Sequence, residues 1–234
     1  MTLKSQGLDM AMSGLVEPAA RPASTRSRQL SERQLILKKR LLASGVELLN
    51  QVGYADLTLR AVATRAGTTH VTAYHYFASK AHLVAELYYS YLLEVPMEQS
   101  DPSVPLPLRI ANALGATAAK FGEVEPLGQA GNAAMASNEP DVVLVRGAIG
   151  ADLMRRIVTA SGEEVDAELT EVVMLTYIGA MRWAGLGVIA YDQVGARIER
   201  VARHFEIARA AGLTGQTGLG MTAGDPRPRR GKTR

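Results

Sequence analysis

Cysteine is absent from the 234 residues, which excludes a disulfide scaffold and any thiolate metal site and fits a reducing cytoplasm. Histidine is scarce: of the four in the chain, three fall between residues 70 and 82, leaving His204 alone in the remainder. General acid–base or nucleophilic catalysis needs such groups clustered with Asp, Ser or Cys, so the long C-terminal part carries no visible catalytic set. No stretch alternates cleanly between apolar and polar residues, so no sheet is expected and no phosphate loop follows a strand. There are no internal repeats. The first thirty residues lack a continuous apolar run behind a basic start, so no secretory leader is expected and the chain should reside in the cytoplasm. What is present is apolar: 47% of the residues are hydrophobic, enough for a substantial core in one large domain or a small one joined to a larger one.

A net charge of +3 hides an uneven distribution. Residues 31–82 hold seven Lys and Arg against three Asp and Glu, whereas residues 83–212 hold ten against seventeen. Residues 1–30 (four against two) and 213–234 (five against one) are basic again. A basic N-terminal third beside an acidic body turns one end of the molecule toward a polyanion and holds the other away.

The basic third contains three short helical patterns in quick succession between residues 54 and 83. Thr58 is a natural N-cap, and Leu59, Val62, Ala63 and Ala66 recur at helical steps. Gly67 stands where a left-handed residue ends a helix. Thr68 or Thr69 then caps a second helix, His70 to Phe77, with Ala73, Tyr76 and Phe77 facing inward. His70, Val71, Thr72, Tyr74 and His75 are left on or near the outward side, a set of hydrogen-bonding groups and methyls suited to base edges and thymine methyls in a major groove. Ser79 caps a third helix, and Lys80 puts a cation in its first turn, where the helix dipole opposes it and a phosphate would favour it. His70, His75 and His82 are spaced five and seven apart across a helix break, an unsuitable metal-ligand pattern without cysteine. No metal or cofactor is expected.

The runs Leu57-Thr58-Leu59-Arg60-Ala61-Val62-Ala63, Ala66-Gly67 and Tyr74-His75-Tyr76-Phe77-Ala78-Ser79-Lys80 resemble the signature of the TetR family of bacterial transcriptional regulators. The match runs without a gap from about residue 36 to 90. The resemblance implies that Thr58 and Thr69, at the starts of the two helices, lie against the DNA with Thr58 on a phosphate. It further implies that His70, Val71 and Thr72 face the bases, and that Tyr74, His75 and Lys80 hold the backbone. One departure is Gly45, where the family usually has alanine; it costs the first helix about 1 kcal/mol and is expected to remove no contact.

The expected architecture is all-α. A basic arm at 1–29 without ordered structure, containing Arg21, Arg26 and Arg28, precedes a helix-turn-helix domain at 30–80. A helical effector-binding and dimerisation domain at 81–212 follows, then a basic tail at 213–234. The first helix starts in a capping box at Ser31 and Gln34, exposes Lys38, Lys39 and Arg40, and ends at Gly53-Tyr54. The helix from Ser79 toward Pro96 belongs to both domains. Body helices are expected at 106–122, 126–137, 140–160, 164–190 and 192–211. The stretch Val172 to Tyr191 has a single charge, Arg182, at its centre; that and its glycines argue against a membrane span and for burial on all sides. Gly179, Ala180, Ala184, Gly185 and Gly187, with Val194, Ile198, Val201 and Phe205, are candidates for a four-helix homodimer seam through the last two helices.

The function these readings imply is a ligand-responsive, sequence-specific transcriptional regulator. It would act as a homodimeric repressor on double-stranded DNA, released from a palindromic operator by a small apolar or aromatic effector. Phe121, Met135, Met154, Met174, Tyr177 and Met181 are the candidate pocket residues. The alternatives are a constitutive DNA-binding protein without an effector and an all-helical enzyme.

Overall fold

A computed structural model describes residues 31–97 and 99–213; the basic arm and most of the basic tail expected above lie outside them. The described residues form nine α-helices and no strand. In chain order these are α1 (Glu32–Asp56), α2 (Leu59–Arg65), α3 (His70–Tyr76), α4 (Lys80–Glu94), α5 (Leu106–Gly122), α6 (Glu125–Ala134), α7 (Pro140–Ser161), α8 (Ala167–Gly185) and α9 (Val194–Ala210). No helix among them is long and apolar enough to cross a membrane.

The starts of the first four helices follow from single side chains. Ser31 and Gln34 close a reciprocal capping box on α1. Thr58 accepts from Ala61 N–H, Thr69 from Thr72 N–H and Ser79 from His82 N–H, each satisfying an amide that the helix leaves without a partner. At Gly67, φ is 64°. Its N–H bonds Thr64 O and that of Thr68 bonds Ala63 O, the paired closure of a glycine-terminated helix. The same closure at Gly187 (φ 72°) stops α8, so that helix covers 167–185 and not the expected 164–190. Gly53 (φ 71°) interrupts α1 before a final turn through Asp56.

α1, α2 and α3 enclose a small core of Leu41, Leu49, Leu57, Leu59, Val62, Ala73 and Phe77, which continues into α4 through Leu83 and Leu87. Gly45 is buried in that seam. A Cβ there would stand 3.1 Å from Leu87 Cδ1, so the departure from alanine also lets α1 and α4 approach. α4 then rests on α6 and α7. In the body, α5 lies between α7 and α9, and α8 packs on α6 and α9. Phe121 and Tyr88 stack at 4.0 Å between ring centroids, and the Tyr177 hydroxyl pairs with Thr117 Oγ1 at 2.8 Å. Burial pushes the Tyr177 and Tyr191 phenols up to about 12.

Four helices, α1, α4, α6 and α7, have no basic residue in their last turn. Each receives one from another helix. Lys80 of α4 donates to Tyr54 O and Ala55 O at the end of α1. Arg156 of α7 donates to Leu92 O, Val95 O and Pro96 O at the end of α4. Arg146 of α7 reaches Met135 O just past α6. Arg109 of α5 reaches Ser161 O on α7 and also pairs with Glu164. A cation at a helix C-terminus meets both the dipole and the carbonyls left over there.

The seam expected for dimerisation needs correction. Ala180, Ala184 and Gly185 are turned into the chain's own core. A Cβ on Gly185 would lie 3.2 Å from Gly128 O of α6. Val194 and Ile198 are fully buried in the same core. The face of α8 turned outward instead carries Leu175, Ile178 and Trp183, each more than half exposed, and continues to Leu186 and Val188. Gly179 and Gly187 lie on the exposed side, and Val201 and Phe205 of α9 are half-buried. The helix is therefore covered on one side only.

Candidate nucleic-acid interface

α3 is seven residues long, and its two sides differ sharply. Ala73 and, at the cap, Phe77 are completely buried, with Tyr76 half-buried beside them. On the other side His70, Val71, Tyr74 and His75 are exposed, Val71 by 66% and Tyr74 by 55%. Thr72 is half-buried, and its hydroxyl stands 2.9 Å from that of Thr69. The Thr69 oxygen thus caps the helix and also pairs with the Thr72 hydroxyl. Thr58 is exposed at the start of α2 with its oxygen engaged by Ala61 N–H; its own O–H remains a donor.

Lys80 stands differently from the sequence expectation. It is half-buried, its ammonium donates at 2.8 and 3.0 Å to the carbonyls of Tyr54 and Ala55, and it lies 4.5 Å above the Tyr54 ring. The mild penalty of a cation in the first turn of α4 is offset by the end of α1. Lys38 is another correction: far from being exposed, it is half-buried and pairs with Glu86 of α4 at 2.9 Å. Burial pushes the Glu86 carboxyl up, but hydrogen bonds and charge from His82 and Lys38 outweigh it and hold the group below its ordinary value. Arg65 ties α2 to α1 through Glu47 and Gln51. Arg60, exposed in the first turn of α2 two residues after Thr58, is a cation to which the motif assigned no role; its position just past a capping threonine was the available signal.

The other candidate set lies inside the body. Phe121, Met174, Tyr177 and Met181 are buried and Met135 and Met154 half-buried. A groove of about 500 Å³ lies elsewhere, between α1 and α4, lined by Leu42, Ala43, Val46, Leu87, Ser90 and Tyr91 with Lys39 and Glu94 at its rim. A second, of about 380 Å³, runs between α5 and α9 past Gly115 and Gly195. None of the six residues lines either groove.

The pattern that defines the bacterial regulatory proteins of the tetR family matches residues 41–87, which span most of α1 through the first half of α4. An uncharacterized HTH-type transcriptional regulator of Mycobacterium tuberculosis is 35% identical over 185 residues, covering 77% of this chain and 86% of its own length. A counterpart in Mycobacterium bovis matches to the same degree. This chain belongs to the TetR family. Among solved structures, a TetR transcriptional regulator from Rhodococcus sp. RHA1 shares the fold at a TM-score of 0.63 and 20% identity, covering 76% of this chain and 98% of that one. The regulator FadR from Bacillus subtilis, solved in complex with stearoyl-CoA, shares it at 0.51 and 14% identity, over 70% and 95%. The chain is thus a TetR-family DNA-binding transcriptional regulator, not an enzyme, with its helix-turn-helix in α2 and α3.

Proposed function

We propose that this TetR-family regulator acts as a homodimeric repressor that leaves a near-palindromic operator when a small apolar or aromatic molecule binds its body. The observation that carries the reading is the outward row of α3: donors, acceptors and methyls from His70, Val71, Thr72, Tyr74 and His75 on a helix whose opposite side buries Ala73 and Phe77. Base-edge contacts from His70, Val71 and Thr72, with Tyr74, His75, Thr58 and Arg60 on phosphates, account for all of these groups together. The bare face of α8 around Leu175, Ile178 and Trp183 supports a two-fold partner, which would set two α3 helices about one DNA turn apart. Release requires that the effector bind one arrangement of the readers better than another.

The test is capture of random genomic fragments by the protein at several salt concentrations, with Tyr74→Ala as control. Enrichment of one palindromic site, lost in the variant and weakened steeply by salt, is the expected outcome. Recovery of the same unrelated fragments by both proteins refutes sequence-specific reading. The interior stacking of Phe121 on Tyr88, filling space an effector would need, favours a second reading in which DNA binding is constitutive. Screening small apolar molecules for release of the captured site separates the two.

A further inference from the structure

Arg156 and Asp152 form a charged pair in the middle of the body, 4% and 2% exposed, one turn apart on α7. Arg156 Nε donates to Asp152 Oδ2 at 2.8 Å, Nη2 to Leu92 O at 3.1 Å and Val95 O at 2.8 Å, and Nη1 to Pro96 O at 3.1 Å. The other Asp152 oxygen accepts from Arg155 at 2.7 Å. A single guanidinium therefore collects three carbonyls at and just beyond the end of α4, a helix whose last turn holds no cation of its own. A lysine ammonium is a point charge without the planar fork that serves a carboxylate and three carbonyls at once.

We propose that Arg156, oriented by Asp152, is the positioning residue through which the body fixes the far end of α4 and hence the pose of the reading helix. The proposal rests on the reading above that the body and the reader are coupled. α4 has fifteen residues and is about 22 Å long at helical rise. Its near end is part of the reader: Ser79 caps it, Lys80 holds the end of α1, and Glu86 holds Lys38. Its far end packs on α6 and α7 through Leu92, which is buried in the core; its polar contacts with the body are those of Arg156 and, more exposed, of Lys120 of α5 on Glu94 at 3.3 Å. A buried ion pair adds little to stability compared with an apolar replacement, because desolvation consumes most of the attraction. What it adds here is a single register for α4, since the carbonyls are satisfied in one arrangement only. Tyr177 lies close enough to feel both charges and is bonded to Thr117 of α5, so the pair touches the interior that the proposed effector would disturb.

The chain has no cysteine, so Ala61→Cys on α2 and Ala119→Cys on α5, both exposed, accept a pair of spin labels without background. Dilution with unlabelled full-length chain leaves one labelled copy per assembly. The wild-type background should give one narrow reader-to-body distance. Arg156→Met, and to a smaller degree Arg156→Lys, should broaden or shift it by several ångströms while helix content stays close to wild type and melting stays cooperative, at a lower temperature because Asp152 keeps a buried charge. Affinity for the captured genomic site should fall at least tenfold. An unchanged distance in folded Arg156→Lys and Arg156→Met overturns the proposal. So does failure of both variants to fold, since Arg156 would then serve stability and not position. If the wild type captures no specific DNA, the repressor reading falls, while the label distances still decide the role of Arg156.

Discussion

Replacing Lys80 by alanine separates two roles for this residue. The structure places its ammonium on Tyr54 O and Ala55 O at 2.8 and 3.0 Å and above the Tyr54 ring at 4.5 Å. Hydrogen bonds from a charged donor contribute about 1.5–3 kcal/mol each when buried, and a cation over a tyrosine face about 0.5–1 kcal/mol. The group is half-exposed, which screens both, and alanine recovers a few tenths of a kcal/mol from the helix dipole. The net loss is about 2 kcal/mol, equivalent to about 4–8 °C in melting temperature for a chain of this size. Thermal and urea unfolding followed by circular dichroism should show it. Tyr74→Ala, at an exposed position, should instead leave stability within about 0.5 kcal/mol and abolish specific DNA capture. The reasoning is refuted if Lys80→Ala melts like wild type and lowers DNA affinity with a shallower salt dependence, which is the behaviour of a phosphate contact.

Gly131→Ala brings a Cβ within 2.7 Å of Tyr88 Cε2. Although alanine favours a helix by about 1 kcal/mol, overpacking against an enclosed ring should destabilise the protein by about 1–3 kcal/mol, measured by urea unfolding; an unchanged midpoint would mean that Tyr88 is free to move. The Tyr177 and Tyr191 phenols, pushed to about 12 by burial from an ordinary 10.0, stay protonated in the folded chain at pH values where the unfolded chain has lost those protons. Stability should therefore fall as pH rises from about 10 toward 12, and less steeply in Tyr177→Phe. Ile178→Arg on the bare face of α8 should convert a dimer to a monomer in sedimentation and red-shift the emission of Trp183, the single tryptophan. A dimer that persists places the interface elsewhere.

The sequence was most informative where cause and effect lie within a few residues. Ser31 with Gln34, Thr58, Thr69, Ser79 and Gly67 each act on amides or carbonyls three to five positions away, so helix starts and the helix-turn-helix could be read directly. The helical period likewise sorted Ala73 and Phe77 from Val71 and Tyr74. Contacts between distant positions were not legible. Lys80 meets a carbonyl 26 residues earlier and Arg156 meets one 64 residues earlier; the first-turn position of Lys80 called for an anionic or carbonyl partner without saying which, and nothing local distinguishes Arg156 from a solvated cation. Ala184 and Val194 looked like seam residues because small and branched side chains suit any helix contact; only the fold shows that this chain's own helices use them. Gly187 was a local signal read as packing when its positive φ made it a stop.

The borrowed cations at the helix ends make three of the joints serial. Arg109 of α5 holds α7, Arg156 of α7 holds α4, and Lys80 of α4 holds α1. Each rod is fastened at its tail by the next one inward, so cutting the chain between rods removes a fastening from the piece that is kept. A fragment of residues 31–78 would retain every group proposed above to contact DNA and yet leave the tail of α1 open, whereas one extended to residue 97 would close α1 and leave the tail of α4 open. No cut among these rods yields a reader with all of its own fastenings, and exchanging bodies between such regulators requires the counterpart of Arg156 to travel with the new one.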